Sequence, residues 1–336
     1  MSILTNCLIN KDTSCVPVWF MRQAGRYLPE FKLIRTNNPD FIKLCLDSKL
    51  SAEITLQPII RYDLDAAIIF SDILILPFAA NQSVEFKTKT GPSLSNFVID
   101  KFLSVTDEEF TKKLEPVYKA ITLTRKKLSR DKSLISFVGS PWTLVVYMFG
   151  LKVKKNILNL DLFTKKKREI NIILSRLNQL LCLHIKNQMN SGADTVQLFD
   201  SWAGLLPNDD LGNFCYKPNK ELVNFCKKNK YPVICFPKGI NKNVIEFIKM
   251  VSPDCLSIDY NVDPGWVRNN IEGICIQGGM DPKILLEEEE KIFLEAAKYL
   301  KIFKNYPYIF NLGHGLLPET SPDKLGNLIK FIKEKR

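Results

Sequence analysis

Eight short apolar runs, separated from one another by longer stretches, constrain the fold of this chain more than any other feature. Each run is almost continuously apolar, which is typical of parallel strands buried on both faces. Apolar residues recur at helical spacing between several runs, as in Leu114 to Leu128 and Ile170 to Met189. The predicted strands are Pro17 to Met21, Ala66 to Phe70, Leu134 to Val138, Thr195 to Phe199, Pro232 to Phe236, Cys255 to Ile258, Gly273 to Ile276 and Tyr308 to Leu312.

Strands that alternate with helices predict an α/β fold with a parallel sheet. Eight such units in 336 residues favour a closed (β/α)8 barrel of the TIM type over an open doubly wound sheet. No linker, repeat or low-complexity segment interrupts the pattern, so residues 1–336 are expected to form a single domain. The stretch from Lys87 to Asp100 is expected to leave the barrel as a small hairpin or as a lid over the site.

Polar or small residues follow seven of the eight predicted strands. In a barrel of this type, the active site is built at the carboxyl ends of the strands. Polar residues at a strand end are expected in any fold, but arginine, carboxylate, hydroxyl and imidazole together suggest a site. The residues are Arg22, Ser71-Asp72, Gly139-Ser140, Asp200-Ser201, Asp259, Gly278-Gly279 and Gly313-His314.

Two arginines lie close together after the first predicted strand. Arg22 ends that strand, and Gly25 and Arg26 follow just before the sequence becomes helical. Two guanidinium groups beside a glycine can bind planar anions such as carboxylates. An ordinary strand-to-helix turn with two solvated arginines explains the spacing equally well.

The cysteines and histidines give no sign of a disulfide framework or a zinc site. The 9 cysteines are scattered and often lie within apolar runs, as expected for reduced thiols in a cytoplasmic protein. Neither His184 nor His314 has a cysteine or a second histidine at metal-ligand spacing, so no metal is expected. The N-terminal residues lack the pattern of a signal peptide.

The formal net charge of +11 comes largely from lysine clusters typical of solvated helix faces, such as residues 165–168. A stripe of interleaved basic and aromatic residues is missing, so nucleic-acid binding is not expected. Ser133 to Leu151 carries no charge and approaches the length of a membrane span. Gly139, Ser140 and Pro141 interrupt it, which indicates a buried strand followed by a helix and no membrane segment.

Five longer motifs resemble the uroporphyrinogen decarboxylase family, and the resemblance covers essentially the whole chain. The family removes carboxyl groups from a tetrapyrrole substrate that carries eight of them. The motifs are PVWFMRQAGRYLPEF (residues 17–31), LQPIIRYDLDAAIIFSDIL (56–74), GSPWTLVVYMFG (139–150), VQLFDSWAG (196–204) and YIFNLGHGLLPET (308–320).

The resemblance implies that the chain converts the four acetate side chains of uroporphyrinogen III to methyl groups in haem biosynthesis. The products would be coproporphyrinogen III and four CO2. It also implies that no cofactor is needed and that the enzyme is a homodimer with facing active-site clefts. The substrate-contacting residues carried over from the family are Arg22, Gln23, Ala24, Gly25, Arg26, Asp72, Tyr147, Ser201 and His314.

Asp72, Arg22 and His314 are the predicted catalytic residues. Loss of CO2 needs an electron sink, and a pyrrole ring protonated at its α-carbon supplies one without pyridoxal, thiamine or a metal. The Asp72 carboxylate would accept hydrogen bonds from pyrrole N–H groups and stabilise the cation. Arg22 and Arg26 would bind substrate carboxylates. The proton donor remains open among Arg22, His314 and water, although imidazole is better matched to neutral pH.

Several of these residues have a purely structural alternative. Ser71-Asp72 could begin a helix, and Tyr147 could be a packed core aromatic. Ser201 could be a helix cap. His314 lies between two glycines, which suggests close backbone approach at a loop.

Three residues depart from the family pattern. Gly279-Met280 stands where Asn-Leu is common, and Tyr260 stands where tryptophan is frequent, which puts the fine shape of the cleft in doubt. A corrinoid-linked methyltransferase of the same superfamily is an alternative, but its zinc-binding His-x-Cys pair is missing. A basic nucleic-acid-binding or scaffold protein is the second alternative.

Overall fold

Seven of the eight predicted strands form one parallel sheet in the computed structural model, which describes residues 1–87, 91–153 and 157–336. The strands of the described chain are β1 (Ala66–Ile68), β2 (Val84–Lys87), β3 (Gly91–Leu94), β4 (Ser133–Gly139), β5 (Lys152–Val153), β6 (Ile157–Leu158), β7 (Thr195–Asp200), β8 (Val233–Pro237), β9 (Cys255–Ile258), β10 (Cys275–Gly278) and β11 (Tyr308–Ile309). The large sheet has the order β1-β4-β7-β8-β9-β10-β11, and each neighbouring pair is parallel.

Helices connect the strands and cover the outside of the sheet. They are α1 (Ile3–Asn10), α2 (Pro29–Asn37), α3 (Phe41–Cys45), α4 (Ser48–Tyr62), α5 (Ile75–Ala79), α6 (Ile99–Leu103), α7 (Asp107–Lys127), α8 (Pro141–Met148), α9 (Leu160–Asn190), α10 (Asn208–Leu211), α11 (Lys217–Lys228), α12 (Val244–Val251), α13 (Pro264–Asn270), α14 (Glu289–Ile302) and α15 (Pro322–Lys335). The two helical segments predicted from periodicity lie within α7 and α9, and the uncharged stretch from Ser133 to Leu151 contains β4 and α8. No helix of the described chain is both long and apolar enough to cross a membrane.

The first predicted strand, Pro17 to Met21, is reduced to an isolated parallel bridge between Val18 and Phe310. Phe310 N donates to Pro17 O at 2.8 Å, which joins this segment to the chain beyond β11. On its other side, Asp65 N donates to Val18 O at 3.1 Å, just before β1. The carboxylate of Asp65 accepts from Val18 N at 2.8 Å, in place of a regular strand ladder. The segment therefore lies between the two edges of the sheet.

Alternate residues of the strands point to two separate cores. Val18 and Phe20 belong to the large core between the sheet and the helices, whereas Trp19 and Met21 belong to a smaller core enclosed by the sheet. Residues of α1 complete that inner core at the amino ends of the strands. In the interior, Trp19 Nε1 donates to Gln277 Oε1 at 2.9 Å, so the buried indole N–H is satisfied. The inner core leaves the carboxyl ends of the strands for the site.

An antiparallel hairpin follows α5 at the same end of the sheet as the predicted site. Its strands β2 and β3 pair from Val84 with Leu94 to Lys87 with Gly91. Phe86 packs on Phe41 with ring centroids 4.6 Å apart. The predicted excursion thus begins earlier than Lys87, and residues 88–90 of it lie outside the described residues. Its role as a lid stays a prediction.

Candidate active site

The loop from Arg22 to Arg26 follows the bridging segment at the carboxyl end of the sheet. Its conformation is set by the backbone: Arg22 has a left-handed φ of +62°, and Gln23 N donates to Phe20 O at 3.0 Å. A Cβ atom at position 25 would lie 2.8 Å from Arg22 O, so only glycine fits there without movement. The backbone N–H groups of Ala24, Gly25 and Arg26 donate to no acceptor among the described residues. The loop therefore offers free donors between two arginines.

Gln23, predicted to contact substrate, has its side chain inside the protein. Its Oε1 accepts from Phe20 N at 3.0 Å, and its Nε2 donates to Ala66 O at 3.0 Å. The side chain is fully buried. It ties the arginine loop to β1, so its polar atoms do not face the cleft. The family resemblance therefore identified Gln23 as a residue of this loop, but it did not show that the polar atoms of its side chain are already hydrogen-bonded inside the protein.

The two arginines are exposed to the cleft and form no ion pair with a carboxylate in the described parts of the chain. Partial removal from water lowers the pKa of Arg22, and the charge of Arg26 acts in the same direction, while Asp72 and Tyr147 oppose the shift. These groups are electrostatic neighbours at one end of the sheet. Unpaired guanidinium groups in an open cleft are suited to an anionic ligand.

Asp72 follows β1 and precedes α5. Its Oδ1 accepts from Leu74 N at 2.8 Å, so the structural alternative of a turn before a helix is partly realised. Its Oδ2 has no partner among the described residues, and the carboxylate is only partly exposed. Removal from water raises the pKa of Asp72 to about 6, against the opposing effects of the Leu74 N–H and of Arg22. The carboxylate is thus ionised at neutral pH, with one oxygen free.

Tyr147 and Ser201 lie on neighbouring connections, in α8 and in the turn after β7. The Tyr147 ring meets the Trp202 ring edge-on with centroids 6.0 Å apart, and both residues are half-buried. Burial raises the pKa of the Tyr147 hydroxyl, and the charge of Asp72 adds to that shift. Tyr147 therefore remains a neutral hydroxyl near Asp72 and Arg22.

A buried hydrogen-bond network fixes the turn that carries Ser201. Thr143 Oγ1 donates to Asp200 Oδ1 at 2.7 Å and accepts from Trp202 N at 3.1 Å. Asp200 Oδ2 accepts from Asn219 Nδ2 at 3.1 Å. Burial raises the pKa of Asp200 to about 6, although these donors lower it. Asp200 is thus a positioning residue that sequence reasoning recognised only as a strand end.

His314 lies in a loop that its two flanking glycines allow to pack tightly. A Cβ atom at position 313 would lie 2.3 Å from Tyr260 N, and one at position 315 would lie 2.4 Å from Arg22 Cδ. Gly313 N donates to Met280 O at 2.8 Å. Because neither glycine has a side chain, the His314 loop rests directly on the arginine loop and on the connection after β9. The glycine pattern correctly predicted close backbone approach.

His314 is neutral at physiological pH in the free protein. Burial lowers its pKa to about 3, and the charges of Arg22 and Lys238 act in the same direction. A neutral imidazole still donates one hydrogen bond to a carboxylate. The second histidine, His184, is buried in the outer core with Nδ1 3.0 Å from Tyr118 Oη. It lies in α9, away from the strand ends.

The structure brings Arg22, Arg26, Asp72 and Tyr147 together electrostatically and places His314 beside Arg22. Ser201 directly follows β7, the neighbour in the sheet of β4, and Tyr147 lies in α8, the helix that follows β4. Lys238 was missed in the sequence, because no polar residue was assigned to the fifth predicted strand. The same rule of polar strand ends, applied to that strand, would have found it.

The residues that depart from the family pattern lie in different environments. Met280 is fully buried and bridges to Leu312, and Gly279 has φ +110° beside Tyr299. The Gly279-Met280 pair thus belongs to the packing beneath the His314 loop and not to the rim of the cleft. Tyr260 is 38% exposed and does lie at the rim. No cluster of three or more histidine, cysteine or acidic residues able to hold a metal occurs within residues 1–87, 91–153 and 157–336.

The fold is shared with solved structures of low sequence identity. A methyltransferase from Methanosarcina mazei matches 98% of this chain and 97% of its own with a TM-score of 0.79 and 16% identity. A B12-independent methionine synthase from Listeria monocytogenes matches 99% of this chain and 94% of its own, with a TM-score of 0.51 and 13% identity. These similarities concern the fold alone.

Sequence comparison identifies much nearer relatives. Uroporphyrinogen decarboxylase of Rickettsia felis is 38% identical over 328 residues, covering 97% of this chain and 95% of the relative. That of Orientia tsutsugamushi is 38% identical over 343 residues, covering 99% and 98%. The family model for uroporphyrinogen decarboxylase (URO-D) matches residues 2–335. The chain therefore belongs to the uroporphyrinogen decarboxylase family.

Proposed function

We propose that the cleft lined by Arg22, Arg26, Asp72, Tyr147, Ser201 and His314 is where this chain carries out the reaction of its family. That reaction is the decarboxylation of the four acetate side chains of uroporphyrinogen III in haem biosynthesis. It gives coproporphyrinogen III and four CO2. The observation that carries the proposal is the ionised carboxylate of Asp72, which has one oxygen without a partner among the described residues and lies beside Arg22, one of two arginines that form no ion pair there.

Asp72 is the group that stabilises the reacting ring. Protonation of a pyrrole α-carbon makes the ring cationic, and the free Oδ2 of Asp72 accepts a hydrogen bond from a pyrrole N–H. The C–C bond to the carboxylate then breaks, CO2 leaves, and its electron pair neutralises the ring. The exocyclic carbon then takes up a proton and becomes a methyl group, and the α-carbon releases the proton it had gained, which restores the neutral aromatic pyrrole. No external electron acceptor is required, because the ring is the sink.

Arg22 and Arg26 bind substrate carboxylates on one side of the cleft. Free N–H groups of Ala24, Gly25 and Arg26 add donors between them. Gln23 contributes by holding the loop through Phe20 N and Ala66 O. Tyr147, Ser201 and His314 supply hydrogen-bonding groups around the ring.

Arg22, His314 and water are the candidate sources of the proton. In the free protein His314 is neutral, since burial and two nearby cations lower its pKa to about 3. A bound substrate carboxylate would raise that pKa, because an opposite charge favours the imidazolium. Binding of substrate would therefore make His314 a better proton donor than it is in the empty cleft.

We further propose that residues 1–336 form one domain and that the bridging segment closes the sheet as the eighth strand of a barrel. A homodimer in the cytoplasm with facing clefts is the assembly proposed from the family. Sedimentation equilibrium would test it: a mass twice that of the 38.5-kDa chain supports the dimer, and a single-chain mass refutes it.

Anaerobic incubation of the purified protein with uroporphyrinogen III tests the reaction directly. After oxidation, chromatography should resolve porphyrins with eight carboxylates falling progressively to four, without an added cofactor. Unchanged eight-carboxylate porphyrin, from protein with a normal circular dichroism spectrum, would refute the proposed function.

A further inference from the structure

The arginines of the proposed site occupy only one side of the cleft. Both lie on the loop after the bridging segment, which sits between the edges of the sheet. The middle strand of the seven, β8, lies across from that segment. A substrate with carboxylates around its whole circumference needs cationic partners on both sides, and the residue directly after β8 is Lys238.

The backbone of Lys238 is held from both sides. Its N–H donates to Asp200 O at 3.1 Å, and its carbonyl accepts from Gly204 N at 2.9 Å. These two bonds connect Lys238 to both ends of the turn that contains Ser201. The next residue, Gly239, donates its N–H to Asp259 Oδ2 at 2.6 Å, which ties the loop to the end of β9. Lys238 is therefore fixed at the strand ends and is not part of a loose surface loop.

Close contact between Gly204 and Gly239 helps to fix the position of Lys238. A Cβ atom at Gly204 would lie 2.5 Å from Gly239 O, and Gly239 itself has φ +84°. The loops after β7 and β8 thus meet backbone to backbone. Side chains at either position would push Lys238 away from Ser201.

The side chain of Lys238 has no protein partner among the described residues. It is half-buried, yet its ammonium group forms no hydrogen bond or ion pair there, in contrast to Lys132 and Lys333, which both bind Asp63. Its charge acts on His314, which lies beside Arg22. A half-buried ammonium group that lies near enough to His314 to act on it, and that has no partner among the described residues, is available for an anion.

We propose that Lys238 is a substrate-binding residue, whose ammonium group binds a side-chain carboxylate of the tetrapyrrole on the side of the cleft opposite Arg22 and Arg26. This inference rests on the proposed function. A flexible lysine suits this position, because four acetates are presented in turn and a point charge tolerates different carboxylate directions.

Steady-state kinetics with uroporphyrinogen III would test the role of Lys238. Lys238→Met should raise KM at least about tenfold, the equivalent of one lost charged contact. Lys238→Arg should restore most of the affinity. Lys249→Met, an exposed lysine of α12 that removes the same charge, is the matched control and should leave KM unchanged. If Lys238→Met does not fold, Lys238→Gln provides the same comparison.

Histidine NMR provides a readout that a purely structural role would not change. The chain has only two histidines, and Lys238 acts on His314 alone. In Lys238→Met the pKa of His314 should rise, while that of His184 stays the same. An unchanged KM or an unchanged His314 titration would overturn the inference. Inactivity of the unmodified protein would refute the proposed function instead.

Discussion

The backbone of Gly315 lies directly against the side chain of Arg22, so that a methyl group at position 315 would come within 2.4 Å of Arg22 Cδ and 2.7 Å of Cγ. The loop that carries His314 therefore also determines where the guanidinium of Arg22 can lie. Two loops from opposite ends of the sequence form one surface.

Gly315→Ala should move Arg22 and lower kcat/KM by about tenfold or more, which corresponds to about 1.4 kcal/mol of lost transition-state stabilisation. Thermal stability should change little, because the displaced side chain faces the cleft. Gly326→Ala in α15 is the control: its Cβ would meet the Tyr62 ring of α4 at 3.5 Å, an ordinary van der Waals contact. Equal activity of the two variants would show that the Arg22 position is not critical.

Asp72→Asn should lose turnover while keeping the fold. The asparagine oxygen can still accept from Leu74 N, but the neutral side chain cannot stabilise a ring cation, so kcat should fall by about a hundredfold to a thousandfold. Since burial raises the pKa of Asp72 to about 6, its ionised form destabilises the fold at higher pH. The melting temperature of the variant at pH 8 should therefore equal or exceed that of the unmodified protein. Near-normal kcat would contradict the role of Asp72.

The pH dependence of kcat/KM should report the ionisation of Asp72. Activity should fall as the pH drops through about 6, because protonation removes the negative charge. Arg22 lowers the pKa of Asp72, so this pKa should rise in Arg22→Gln. The acid limb of the residual activity should therefore move to a higher pH. Arg26 is not among the charges that act on Asp72, and Arg26→Gln should keep the limb near 6. A limb that moves equally in both variants would assign it to another group.

Thr143→Val should test the network beneath Ser201. It removes the donor to Asp200 Oδ1 and the acceptor of Trp202 N, and leaving these buried groups unsatisfied costs about 1–3 kcal/mol of unfolding free energy. Activity should fall as well, because the turn carrying Ser201 loses its anchor. Thr143→Ser retains the hydroxyl and should preserve activity. Urea denaturation with parallel assays measures both effects, and a Val variant as active as the Ser variant would exclude a positioning role.

Seven strands could be predicted because each is a continuous apolar run, and β9 was predicted at its observed bounds, Cys255–Ile258. The seventh predicted strand, Gly273 to Ile276, starts too early: Gly273 has φ +72°, which hydrophobicity does not reveal, and the strand runs from Cys275 to Gly278. The first predicted strand is only a bridge, since the Asp65 side chain takes the Val18 N–H that a neighbouring strand would otherwise bind. A side-chain contact across 47 residues leaves no trace in local patterning.

Some residues of the candidate site could be predicted from the sequence for a different reason. Arg22, Asp72 and His314 follow predicted strands and lie in the motifs that resemble the family, and the resemblance identified them by number; their roles stay predictions. The directions of side chains could not be read in the same way. Gln23 belongs to the same motif as Arg22, yet its polar atoms are used inside the protein. Lys238 was not selected because a single lysine is not distinctive in a chain with 47 lysines and arginines.

The bridging segment draws its backbone partners from distant parts of the chain: Phe310 on one side and Asp65 on the other. The Asp65 carboxylate also pairs with Arg336 in the last turn of the fold. During synthesis, the arginine loop is therefore made early, but the bridging segment before it lacks one of its two backbone partners until Phe310, after β11, has been made. Catalytic competence should therefore arrive late and abruptly during synthesis, once the segment from Phe310 to Arg336 has been made.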